Sequence, residues 1–375
     1  MHVSRLLVAP SLLATALCLP GTAAAQWHGS FSPFGAVYTL SNDAADNSVE
    51  VALRLPNGAL WPLASYATSG QGTGAGLGSQ SALALSSDDR WLLAVDPGSD
   101  QVTLFRTFAG GLFLWRRDTD PSGGDRPTSV ALHGDVAYVL NAGSDSIRGF
   151  RVGGWQGLQP IAGANYALSQ TGAAAAQVGF SPDGDWLVVT ERATDRIGVF
   201  PVHGNGTLGA PVFSTSAGQT PFGFLFRDDG TLVVSEAVGG AADASVVSTY
   251  RIAPDGTLQT ITAAAATTET AACWIAIPKN GKFAYTTNTG SGTLSGFSLA
   301  PNGAATLLDA DGVTADLGAG AAPLDAEFTP NGKLLYVLDA GNDEVRAFRR
   351  LGNGALLPLG TMWSLDDGAA GLLAR

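Results

Sequence analysis

Short apolar runs, broken at regular intervals by Gly, Pro, Asn and Asp, set the pattern of this chain. Runs of this length between turn residues read as strands buried on both faces, not as helices. The first strand of each unit ends on a large residue: Leu85, Leu132, Phe180, Phe226, Ile277 and Phe328, at spacings of 47, 48, 46, 51 and 51 residues. A turn follows, as in Ser181-Pro182-Asp183-Gly184 or Thr329-Pro330-Asn331-Gly332, with Gly where the backbone needs a positive φ. Then come a second strand (Trp186–Val189, Leu335–Leu338), a short polar loop, and a third strand (Arg196–Val202, Val345–Arg349). A second turn, containing Gly58, Gly111, Gly157, Gly206, Gly256, Gly303 or Gly354, recurs seven times and predicts a hairpin to a fourth strand. Four strands per repeat of this period predict an all-β, seven-bladed propeller.

The chain ends predict how the ring closes. Ala36–Leu40 matches a second strand with no first strand before it, and Ala369–Ala374 matches a first strand with nothing after it. Blade one is therefore expected to be completed by the C-terminal strand, which hides both sheet edges.

Composition agrees and narrows the partners. Forty-nine Gly, 19 Pro and 14% charged residues suit many strands and tight turns. The net charge is −12, and no run of Lys or Arg exceeds two, which argues against a nucleic-acid partner. Residues 1–25 carry Arg5, an apolar stretch from Leu6 to Pro20, and Gly21-Thr22-Ala23-Ala24-Ala25, which together predict a cleaved export signal. That stretch falls short of the ~20 residues that span a bilayer. The expectation is a periplasmic or secreted, monomeric protein whose single domain covers residues 26–375, with no membrane span. Its one remaining cysteine, Cys273, leaves no internal disulfide.

The wording of the repeats, as in Phe180-Ser181-Pro182-Asp183-Gly184-Asp185-Trp186-Leu187-Val188-Val189-Thr190-Glu191, resembles the lactonase family of seven-bladed propellers and the related YVTN-type repeats. That family includes 6-phosphogluconolactonase and the carboxymuconate-lactonising enzymes. The resemblance implies a small-molecule cyclic ester, hydrolysed or formed on the face bearing the loops between second and third strands. A propeller of the cell envelope that binds a ligand or protein without catalysis is the alternative.

Candidate chemistry lies on that face. The residues ending the second strands read Asn42 or Asp43, Asp96, Asn141, Glu191, Glu236, Asn288 and Asp339. Asn and Asp stabilise tight loops through their own backbone, a job to which the longer Glu is poorly suited. Glu191 and Glu236 are thus the candidate catalytic carboxylates, with Arg126 as the cation for a substrate carboxylate or oxyanion. Arg192, Gln177, Trp274, Asp325, Asn141 and Asn288 are candidate substrate-binding groups; Glu327 and Glu269 are weaker ones. Gln177, Trp274 and Asp325 share an alternating column with Ala82, Ser129, Gly223 and Gly371 that is expected to face the central channel. His133 and His203 fall on the opposite face, and no metal-ligand spacing or cofactor motif is present, so any chemistry there rests on carboxylates and arginine.

Overall fold

The structure, a computed structural model, describes residues 34–375; the expected export signal lies outside them. Seven antiparallel sheets follow one another in a ring. Blades two to seven each begin with their innermost strand: Leu83–Leu85, Pro127–His133, Ala175–Phe180, Pro221–Phe226, Ala272–Ala276 and Pro323–Phe328. Blade one takes its innermost strand, Ala370–Ala374, from the C-terminus; it pairs with Gly35–Leu40, as Tyr38 against Leu373 and Thr39 against Leu372. The predicted closure is therefore present. Blade six departs from the pattern: its fourth strand is only Ala305–Leu307, and Ala315–Asp316 pairs beside it on the third.

All seven predicted outer-hairpin glycines have positive φ, from 68° at Gly157 to 96° at Gly354. Four of them also join blades. The Tyr38 hydroxyl donates to the Gly111 carbonyl (2.8 Å), Tyr138 to Gly206 (2.7 Å), Tyr285 to Gly354 (2.6 Å) and Tyr336 to Gly58 (2.7 Å). Each tyrosine sits on a second strand, is buried, and reaches the hairpin of the next blade. An aromatic ring filling the inter-blade core thus carries its polar tip to a waiting carbonyl. Between blades the packing is apolar, as where Tyr138 meets Phe180 edge-on at 6.1 Å.

The innermost strands do not leave an open bore at the level of the predicted column. Ala82, Ser129, Gln177, Gly223, Trp274, Asp325 and Gly371 are all buried. The reason is a segment the repeat pattern did not foretell. The connection between blades one and two runs from residue 68 to 82, and its end crosses the channel. Gln80 donates to the Ile275 carbonyl (2.9 Å) and accepts the Ile275 N–H (3.1 Å), while Trp274 Nε1 donates to Ser79 O (2.9 Å). Gly223 lets the segment pass, since any side chain there would collide with Gln80.

Candidate functional site

On the face of the second-to-third-strand loops, a repeated polar device fixes where each side chain stands. Ser81, Arg126, Ala174, Thr220 and Ala271, each at or near the residue before an innermost strand, have φ between 50° and 66°. Aspartates in the loops of the preceding blades hold several of these entries. Asp100 Oδ1 accepts the Arg126 N–H (2.6 Å), Asp145 accepts those of Gly172 (2.7 Å) and Ala173 (3.1 Å), and Asp195 that of Thr220 (2.7 Å). The left-handed backbone of Arg126 is therefore ordinary for this ring. What sets it apart is its side chain, a cation where the other blades carry Ser, Ala or Thr.

Arg192 stands out in the same way. It follows the end of its second strand, where other blades have Pro97, Ala142, Ala237, Thr289 and Ala340. Its Nε donates to Ala174 O (2.9 Å) and its guanidinium lies 5.1 Å from the centre of the Phe222 ring. Burial, together with the like charge of Arg126, draws its pKa below the usual arginine value. Arg126 and Arg192, from adjacent blades, line one cavity of about 380 Å³ whose remaining wall is Leu77, Asp145 and small residues such as Ala142, Gly143, Thr171 and Gly172. Among the described residues neither arginine forms an ion pair. Two like charges on one small cavity, without a salt-bridge partner, make a site for an anion.

The two glutamates lie elsewhere. Glu191 is fully buried and accepts from Ser169 N (2.9 Å), Ser169 Oγ and Thr194 Oγ1 (2.7 Å). Glu236 is equally buried and accepts from Ser216 Oγ (2.5 Å), Gly218 N (2.9 Å), Ser248 Oγ (2.6 Å) and Tyr250 Oη (3.1 Å). Burial pushes the Glu236 pKa upward against those hydrogen bonds. The extra methylene that spoils Glu as a loop-former lets it reach the chain entering its own blade, around residues 169 and 216. Neither lines the Arg126–Arg192 cavity.

The remaining candidates are dispersed and mostly satisfied. Gln177 accepts from Phe224 N (2.7 Å) and donates to Phe224 O (3.0 Å), tying blade four to blade five. Trp274 packs at 5.0 Å from Phe222 and is buried. Asn288 is taken up by Thr286, Thr293 and Ser295 within its blade, and Glu269 accepts from Thr293 (2.8 Å). Asn141 donates weakly to Ser122 O (3.3 Å), and its Oδ1 is buried without a partner. Asp325 accepts from Gly371 N (3.2 Å), and burial raises its pKa to about 7. Burial and the nearby Asp325 raise that of Glu327 to about 8.

Sequence reading missed Asp145, because an Asp in these loops looks like any other turn residue. It also missed two residues of the channel-crossing segment: Leu77, which lines the cavity, and Gly78, which stands beside the Arg192 guanidinium. The length and glycine content of residues 68–82 were the available signal. Among the described residues, no group of three or more His, Cys, Asp or Glu is placed to hold a metal ion, and no helix is long and apolar enough to cross a membrane.

Seven closed blades, with Arg126 and Arg192 on one cavity of one face, define a seven-bladed β-propeller. The chain belongs to the seven-bladed β-propeller lactonase family, which it matches over residues 81–237 and 236–369. Its fold is similar to that of a candidate 6-phosphogluconolactonase from Bacteroides uniformis (TM-score 0.74, 19% identity, 92% of this chain and 100% of that one). It is also similar to the periplasmic gluconolactonase of Pseudomonas aeruginosa (TM-score 0.70, 18% identity, 90% of this chain and 99% of that one). No curated protein matches the sequence.

Proposed function

We propose that this protein opens or closes a small lactone bearing a second anionic group, a carboxylate, in the Arg126–Arg192 cavity. The observation that carries the reading is the pair of guanidiniums without ion pairs on one cavity. A neutral lactone needs one cation, for the oxyanion that forms as water adds to the ester carbonyl. A second cation is accounted for by a substrate carboxylate held bidentately. In the hydrolytic direction the water oxygen bonds to the carbonyl carbon and the ring C–O bond breaks. The leaving oxygen takes up a proton, and the new carboxyl group releases one. Asp145, on the cavity wall, is the carboxylate suited to accept the proton from water.

In this reading Glu191 is a positioning residue. It anchors Ser169, at the start of the loop that brings Thr171 and Gly172 to the cavity. Glu236 does the same for residues 216–218.

Proton release from saccharic acid lactone and from neutral gluconolactone, measured with the purified protein, tests the proposal. The expected result is turnover that favours the carboxylated lactone and falls at least about a hundredfold in kcat/KM in Arg126→Met and Arg192→Met, ~2.7 kcal/mol of transition-state stabilisation. Turnover unchanged in both variants overturns the site. Absence of turnover, with thermal stabilisation by either lactone, replaces catalysis with ligand binding alone. We further propose export with cleavage after Ala25, supported by the composition of residues 1–25; the mass of the mature protein is the check.

A further inference from the structure

On the side of blades two and three, around their outer hairpins and away from the arginine cavity, lies a second concavity of about 270 Å³. Its walls are aromatic rings and guanidiniums. The Arg106 guanidinium lies 4.8 Å from the Trp91 ring centre and that of Arg117 lies 5.0 Å from Trp115. Phe108 stacks beside Trp115 with centroids 6.4 Å apart and planes inclined by 30°. At the tip of the neighbouring hairpin, after Gly154, Trp155 is 97% exposed. Trp115 is 59% exposed.

Large aromatic rings so exposed have no packing role to account for them, and a cluster of them marks a contact surface. Neither Arg106 nor Arg117 forms an ion pair among the described residues; Asp88, the nearby acid that feels Arg106, pairs with Arg90 instead. The groove lining contains no aliphatic side chain and no carboxylate. Flat π faces attract the polarised C–H bonds on one face of a pyranose ring. The exposed Trp155 offers such a face, and the guanidiniums held over Trp91 and Trp115 are placed for carboxylates on the sugar ring's edge.

We propose that this groove binds a polysaccharide containing uronic acids. A single such chain lying in the groove meets chiefly the local cations, because charges beyond about 8–10 Å are screened at physiological salt. An anionic membrane would face the whole surface of a protein carrying a net charge of −12, Asp88, Asp118 and Asp135 included, and would be repelled. A stable protein partner would want aliphatic contacts alongside the aromatic ones.

The experiment is affinity electrophoresis of the full chain in gels containing polygalacturonate, with dextran as the neutral comparison. Retardation is expected in polygalacturonate, weakening as salt is raised, with apparent affinity reduced at least tenfold in Trp155→Ala and in Arg117→Met. Trp61→Ala, an exposed tryptophan outside the groove, is expected to behave as the parent. Because Trp155 is almost wholly exposed, its removal does not threaten the fold. No retardation, or equal retardation in all variants, overturns the proposal. So does sedimentation with phosphatidylserine vesicles without polygalacturonate binding, or a concentration-dependent dimer abolished by Trp155→Ala; these would assign the groove to a membrane or to a second copy.

Discussion

When a carboxylate surrounded by four donors is replaced by its amide, an N–H turns toward one of them, and a hydroxyl that donated must accept instead and find another partner for its proton. Glu236 is in that position, with Ser216, Gly218, Ser248 and Tyr250 around it. Glu236→Gln is therefore expected to lose about 2 kcal/mol of stability, the scale of a buried group left unsatisfied, read from the urea midpoint. A smaller effect is expected at the blade joints. Tyr336→Phe keeps the ring in the core but leaves the Gly58 carbonyl without its hydroxyl, a loss of about 1 kcal/mol by the same measurement. The sequence showed that Glu191 and Glu236 break the repeat, but it could not show why. The same departure serves catalysis or a reach to the chain entering the same blade, and only the identity of the donors, Ser169 and Ser216, separates the two.

At the scale of elements, strands and turns were legible because each is a local pattern: an apolar run, a Pro-Asp-Gly, an Asn-Gly. The two arginines were legible as charges in otherwise neutral rings. The segment from residue 76 to 81 was not, since Gly-Leu-Gly-Ser-Gln-Ser carries no periodicity to say where the chain goes. Its course is fixed by long-range bonds, chiefly the two between Gln80 and Ile275. Gln80→Leu keeps the volume and removes both, leaving the Ile275 N–H and carbonyl buried and unpaired. The expected outcome is faster hydrogen exchange at Ile275 and along Ala272–Ala276, with the outer strands of that blade unchanged. Leu77 and Gly78 stand beside Arg192, so the same variant is expected to raise KM for a lactone substrate more than it lowers kcat.

For the whole molecule, Asp325 and Glu327, the carboxylates whose burial raises their pKa furthest, are expected to make the largest contribution to the response to pH. Their pKa values, near 4 in an unfolded chain, rise on folding to about 7 and about 8. The folded state thus holds protons that the unfolded state has released, and the stability this gives at acidic pH is lost as pH rises through that window. Thermal midpoints are expected to fall between roughly pH 5 and 8. The fall is expected to flatten in the Asp325→Asn, Glu327→Gln double variant; an unchanged slope would show that other groups set it. Exposed aspartates whose pKa is lowered by turn hydrogen bonds, such as Asp183 and Asp255, act in the opposite sense, at more acidic pH.

The strand Ala370–Ala374 also orders events in time. It is made after the strands of all the other blades, yet it completes the sheet begun by Gly35–Leu40. No nascent chain has a finished first blade until residues 370–374 have been added. Premature termination before that strand therefore yields an open arc with unpaired edges, and quality control meets every such truncated product as a non-native protein.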